Sequence, residues 1–202
     1  MMVWRGTKPL ILASKSPARQ ALLANAGIAF EAIPADIDER ALQQGSGLSS
    51  PGEIAVLLAR EKAAAVSSRH PGRVVVGADQ TLALGGRLFS KPAGRAQAAE
   101  QLQALAGHTH ELHSAAAVGR DGKILFADVS VARMTMRPLD DNAISAYLDA
   151  AGEAVTTSVG AYQLEGLGIH LFARIEGDHF TIMGLPLLSL LEFLRSQRLL
   201  AV

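Results

Sequence analysis

The 202-residue chain contains no cysteine. That absence excludes a disulfide scaffold, a thiolate zinc site and a cysteine nucleophile together. Charge of either sign is also not in excess: 19 Lys and Arg balance 19 Asp and Glu, for a formal net charge of zero. Proteins that coat nucleic acid usually carry a basic surplus, so that partner class has little support. No apolar run approaches the ~18–20 residues that span a bilayer. The run Pro9-Leu10-Ile11-Leu12-Ala13 is too brief for a signal-peptide core and reads as a buried strand. A soluble cytoplasmic protein without a membrane partner is the expectation. Three nucleotide and hydrolase signatures are missing as well: no G-x-x-x-x-G-K-S/T loop, no G-x-G-x-x-G fingerprint and no G-x-S-x-G elbow occurs. P-loop, Rossmann and α/β-hydrolase mechanisms are disfavoured accordingly. His108, His110 and His113 include an i, i+2 pair, but no fourth ligand stands at a convincing spacing for zinc.

What the chain does have is an alternation of strand and helix signals. A strand at 10–13 precedes a helix at 17–26 closed by Gly27, and 30–35 reads as a second strand. Residues 43–50 (QQGSGLSS) read as a loop. Ser50, Pro51 and Glu53 then make a capping box with Pro at the first helical position, for a helix running to about Ser68. Residues 73–79 (RVVVGAD) are a β-branched core strand, followed by a hairpin through Gly85-Gly86 and a helix at 95–106. The segments 108–119 and 123–137 flank Arg120-Asp121-Gly122 as a long hairpin. Val129 and Val131 share one parity and Met134 and Met136 the other, which predicts a bulge. A helix at 140–151, a Gly-punctuated loop at 152–168, a strand at 169–175 and an amphipathic helix at 185–198 complete the chain. Helical crossovers beside hairpins predict an α/β fold on a mixed, twisted sheet flanked by helices, in a single domain spanning 1–202.

Four features could carry chemistry. Ser14-Lys15-Ser16-Pro17-Ala18-Arg19 follows the first strand, with Ser16 as N-cap and Pro17 opening the helix. A helix N-terminus offers free N–H groups to an anion, although an ordinary Ser-Pro cap reads the same way. Asp79 ends an apolar strand, where α/β sheets collect ligands; it could hold a divalent cation, take a proton from water, or cap the next turn. Lys62 interrupts the apolar stripe Ile54, Leu58 and Val66, so it either snorkels outward or points into a polar site. Were it to point into a cleft, replacement by Met should weaken catalysis and leave stability roughly unchanged. Asp36-Ile37-Asp38-Glu39 could bind metal or form a solvated acidic turn.

Taken together, these segments resemble the Maf family of nucleoside triphosphate pyrophosphatases. The resemblance lies in LILASKSPARQALL (10–23), the Asp38-Glu39 pair, AREKAAAV (59–66), VVVGADQ (74–80), Ser90-Lys91-Pro92 and GAYQLEGLGIHLFARIEGDHFTIMGLPL (160–187). It implies a Maf/ITPase-like fold of two lobes around a nucleotide cleft, often as a homodimer. A divalent cation, magnesium or manganese, is implied with it, as is hydrolysis of a nucleoside triphosphate to monophosphate and diphosphate. Asp79 matches the family's general base and a metal ligand, and Asp38 its second cleft carboxylate. Lys62 and Lys91 match cleft lysines, and Ser14, Ser16 and Arg19 the phosphate-binding loop. Gln80 and Glu165 resemble the subgroup acting on 7-methyl-GTP. At Ala18 the chain departs from it, because that subgroup has tryptophan there and many other members have arginine. The alternative that the resemblance carries is a nucleotide-binding regulator of cell division and septum formation without turnover; retention of Asp79, Lys62 and Lys91 favours the enzyme.

Overall fold

In the computed structural model, which describes residues 3–202, the apolar run after Pro9 forms β1 (Leu10–Leu12), buried along its whole length. Helix α1 (Pro17–Asn25) starts at the Ser16 cap, whose hydroxyl accepts the Arg19 N–H at 3.4 Å, and ends before Gly27, which takes a φ of +69°. Next come β2 (Phe30–Ala32), α2 (Glu39–Ser46), α3 (Pro51–Arg69), β3 (Val75–Leu84) and β4 (Arg87–Phe89). Helix α4 (Arg95–Leu105) leads into β5 (Thr109–Arg120) and β6 (Lys123–Met136), joined through Asp121 and Gly122, both at positive φ as a two-residue hairpin turn requires. Helix α5 (Asp141–Ala151), three short 3₁₀ turns, β7 (Phe172–Glu176), α6 (His179–Ile182) and α7 (Leu187–Ser196) follow.

The sheet is mixed, as expected, with strand order β2-β1-β3-β5-β6-β7 and β4 paired to β3. Strand β1 runs parallel to β2 and β3, whereas β4 and β7 run antiparallel to their partners. Two compact units share this chain. Among the described residues, the first holds those up to 80, 114–130 and 179–202, and the second 81–113 and 131–178. No helix among the described residues is long and apolar enough to cross a membrane.

Several boundaries correct the sequence expectation. The first half of the segment expected as a loop at 43–50 is the end of α2, and only 47–50 connect it to α3. Asp38 caps that helix by accepting the Ala41 N–H at 2.9 Å, and Gly47 at φ +67° closes it, so both ends are satisfied despite the poor formers Gly45 and Ser46. The capping box at Ser50 does not form: Ser50 holds the N-cap position without a side-chain cap bond. The strand expected from 169 starts at Phe172, because residues Leu167–Leu171 coil into a 3₁₀ turn. An irregularity does occur in β6, where the register against β7 shifts between Thr135 and Met136; Val131 simply faces outward.

In the first unit, α3 packs unusually close to the sheet. Ala55, Ala59 and Ala63 form a stripe against Ala115 and Ala117 of β5. A Cβ on Gly77 would overlap Ala59 O and lie 2.6 Å from Ala63 N. Gly77→Ala therefore has to push α3 outward, and a loss of about 1–3 kcal/mol or more is expected. Urea midpoints of the two proteins would check this, and an unchanged midpoint would show that α3 gives way freely.

In the second unit, His110 and Tyr162 are buried together, with His110 Nε2 2.7 Å from the Tyr162 hydroxyl and Phe172 against both rings. His110 Nδ1 has no hydrogen-bond partner. Burial lowers the His110 pKa from its ordinary 6.5 to about 4. The unfolded chain binds the proton first, so stability is intact above 6.5 and falls as the pH drops from there toward about 4. A shift of that size is worth about 3 kcal/mol. His110→Gln should flatten this part of the acid stability profile; an unaltered slope in urea titrations between pH values of about 7 and 4 would rule the histidine out as its source.

Candidate functional site

The site is built where β1 stops and its parallel neighbour β3 continues. The Ala13 N–H donates to Val76 O at 2.8 Å as the last rung; beyond it the chain turns into Ser14 and Ser16, while β3 runs on through Ala78, Asp79 and Gln80. Asp79 is thus not at the end of its own strand, as the sequence suggested, but just past the carboxyl end of β1. This is the position at which parallel sheets leave polar groups open to a ligand.

Lys62 approaches from α3. It is buried with Ile54, Leu58 and Val66 on the same stripe, so it does not snorkel. Its Nζ donates to Asp79 Oδ1 at 2.6 Å and pairs with Glu39 Oε1 at 2.8 Å. The Lys62 and Asp79 side chains are each only about a tenth exposed, whereas that of Glu39 is about half exposed. A buried charge of this kind survives only when paired. Burial raises the Asp79 carboxyl above its ordinary value; Lys62 and then Arg19 pull it back down, and Glu39 adds to the rise.

The close approach of α3 described above is what lets this lysine, projecting from a helix, reach a carboxylate on a central strand. It also explains why Lys62 replaces an apolar residue in an otherwise apolar stripe.

Of the other sequence candidates, the first unit gathers Ser14, Ser16, Arg19 and Gln80 near Asp79. Ser14 Oγ accepts the Ser16 N–H and an Arg19 Nη1 hydrogen, both at 3.2 Å. Arg19 also donates from Nη1 to Ala78 O at 2.9 Å and from Nε to Gly184 O at 2.7 Å. Gln80 Nε2 donates to Ser114 Oγ at 2.8 Å, Ile182 O at 3.0 Å and Thr181 O at 3.1 Å. Ala18 is half-buried in the first turn of α1. Asp38, expected as the second cleft carboxylate, caps α2 by accepting the Ala41 N–H, and it is its neighbour Glu39 that pairs with Lys62. In the sequence Glu39 stands out only as a member of the acidic cluster 36–39 and of the Asp38-Glu39 pair; a cap at Asp38 puts it in the first helical turn of α2. Lys91 and Glu165 are exposed residues of the second unit.

No cluster of three or more His, Asp or Glu side chains suited to a metal occurs among the described residues. The donor set at Lys62 is nonetheless of the right chemistry for a hard cation. Asp79 and Glu39 converge on one positive centre, the Lys62 ammonium. Magnesium and manganese sites at phosphates commonly use one or two carboxylates, with phosphate and water oxygens completing the shell.

A family model described as Maf-like protein matches residues 9–197. A nucleoside triphosphate pyrophosphatase of Bradyrhizobium diazoefficiens is 72% identical over 202 residues, covering 100% of both chains. One of Rhodopseudomonas palustris is 69% identical over 201 residues, again covering 100% of both. A 7-methyl-GTP pyrophosphatase of Mesorhizobium japonicum is 54% identical over 193 residues, covering 94% of this chain and 96% of the relative.

Proposed function

Because the chain belongs to the Maf-like protein family, we propose that it is a nucleoside triphosphate pyrophosphatase, releasing a nucleoside monophosphate and diphosphate. The observation that carries this reading is the buried Lys62–Asp79 pair beside the β1 carboxyl end, with the half-exposed Glu39 on the same ammonium. A purely structural stripe would have no use for a lysine there.

In this reading Asp79 orients the attacking water and accepts its proton. The water oxygen bonds to a phosphorus of the α–β anhydride, whose P–O bond breaks with the electron pair leaving on the departing phosphate. The raised affinity of buried Asp79 for a proton suits it to this task, since an ordinary aspartate is a weak base near neutral pH. Lys62 keeps Asp79 ionised before the reaction and offsets negative charge on the phosphate oxygens during it. Ser14, Ser16 and the N-terminal turn of α1 offer hydroxyls and a partial positive charge to an anion. Asp79 and Glu39 would hold a magnesium or manganese ion, which when bound acidifies water and neutralises phosphate charge.

The finer substrate reading is a guanine-type or modified purine nucleotide. It rests on the likeness of Gln80 and Glu165 to the 7-methyl-GTP subgroup and on the Mesorhizobium relative. Guanine presents N1–H and an exocyclic amine as paired donors, which a carboxylate accepts well; thymine and uracil present a single N–H between two carbonyls. The test is diphosphate release with magnesium from 7-methyl-GTP, GTP, dTTP, UTP and CTP, on wild type and Glu165→Gln. The expected result is a preference for the purines, lowered about tenfold or more by the substitution. No release from any nucleotide overturns the pyrophosphatase reading. A preference for dTTP and UTP, or a ranking indifferent to Glu165→Gln, overturns only the purine assignment.

A further inference from the structure

Two of the three guanidinium nitrogens of Arg19, Nε and Nη1, are bonded to the protein. A guanidinium that grips a phosphate uses one of its two edges as a fork, Nε with Nη2 or Nη1 with Nη2. In this fold Nε is taken by Gly184 O at 2.7 Å, and Nη1 by Ala78 O at 2.9 Å and Ser14 Oγ at 3.2 Å. Each edge therefore has one donor already committed. We propose that Arg19 is a positioning residue rather than a phosphate ligand: it fastens the peptide that carries Asp79 to the turn after α6, and the Ser14 loop to both. The proposal rests on the pyrophosphatase reading only for its kinetic test.

The atoms involved explain why such a fastening matters. Ala78 O belongs to the same rigid peptide plane as the Asp79 N–H, so holding that carbonyl sets the direction from which the Asp79 side chain leaves the strand. Two residues on from Ala78, Gln80 reaches the end of α6, just before that turn, through Thr181 O and Ile182 O. Asp79 thus stands between two residues that are each tied to residues 181–184. Gly184 fits the arrangement in both backbone and size. Its φ is +91°, and a Cβ there would lie 3.3 Å from Arg19 Nε, 3.4 Å from Nη2 and 3.6 Å from Gln80 Oε1. Lysine cannot replace Arg19 in this role, because a single ammonium lacks the planar fork that spans Ala78 O and Gly184 O together. Displacing a catalytic group by about 1 Å can cost on the order of 100-fold in rate.

The experiment compares wild type, Arg19→Lys and Gly184→Ala in steady-state kinetics with the preferred nucleotide, adding inorganic pyrophosphate as a competing anion. For Arg19→Lys the expected result is a kcat lower by roughly 10- to 100-fold, with KM and the inhibition constant of pyrophosphate within about threefold of wild type. Gly184→Ala, which leaves every charge in place, should show the same pattern. A phosphate ligand would behave otherwise: KM and the pyrophosphate constant would rise together with kcat largely spared, and that result overturns the proposal. So does an unchanged kcat in Gly184→Ala, which also decides the matter if Arg19→Lys does not fold. Amide hydrogen exchange reads the same fastening without turnover. Arg19→Lys should raise exchange at residues 78–80 and 181–184 together, and unchanged protection at both overturns the proposal. Absence of turnover in wild type would instead count against the pyrophosphatase reading and leave the exchange result to stand by itself.

Discussion

Asp79→Asn yields a folded protein whose diphosphate release is lower by ~10²–10⁴, the usual cost of removing a general base. If the carboxylate also holds the metal, the loss is larger, because an amide oxygen is a poorer ligand for a hard cation. The fold should tolerate the change for a reason visible in the site. An Asn side-chain oxygen can still accept the Lys62 hydrogen bond now made at 2.6 Å, and Glu39 at 2.8 Å still balances the ammonium charge. What is lost is the charge-assisted part of one hydrogen bond, about 1–2 kcal/mol. Diphosphate release and thermal unfolding, measured on the same preparation, separate the two effects. Turnover within a few-fold of wild type would remove Asp79 from the reaction, and a collapse of the fold would make it a structural ion-pair partner first.

The alternation of helix and strand was legible because its signals are local. The β-branched run 74–76, the Asp-Gly turn at 121–122 and the Ser16-Pro17 helix start each act through their immediate neighbours. The site was legible only as a set of types and positions. Periodicity marks Lys62 as an exception in an apolar stripe, yet whether such a lysine snorkels or turns inward depends on what packs against it. The answer lies in Gly77 and the alanines of α3 and β5, which bring the helix close enough for Nζ to reach Asp79. The choice between Asp38 and Glu39 was not legible for a similar reason. Two adjacent carboxylates look alike in a sequence, and α2 assigns one to its own first turn and the other to Lys62. Gln80 and Arg19 show the same limit at longer range. Their partners Thr181, Ile182 and Gly184 stand more than a hundred residues away, and no local pattern joins them.

Lys62→Met should be both inactive and less stable, with a stability loss that shrinks as the pH falls. The sequence alone suggested that stability would hardly change; the buried pairing with Asp79 overturns that. Removing one partner of a buried pair costs about 3–5 kcal/mol, because the other charge is left uncompensated. The lower part of that range is expected here, since Arg19 remains as a second positive influence on Asp79. The pH dependence follows from the direction of the Asp79 shift. In wild type the folded-state carboxyl already sits above its unfolded value of 3.8, burial outweighing Lys62 and Arg19. A carboxyl raised in the folded state favours folding when protonated, so its penalty is absent below the unfolded value and develops as the pH rises through the folded one. Taking away Lys62 removes the strongest influence that lowers it, so the folded value moves higher still. The stability gap between wild type and Lys62→Met is then widest at neutral and alkaline pH and narrows as Asp79 protonates. Urea midpoints at pH values of about 8, 6 and 4.5 test this directly. A gap that stays constant or widens toward acid would mean that the lost stability lies in the packing of the lysine stem. A variant more stable than wild type at every pH would mean that Asp79 does not need the charge at all.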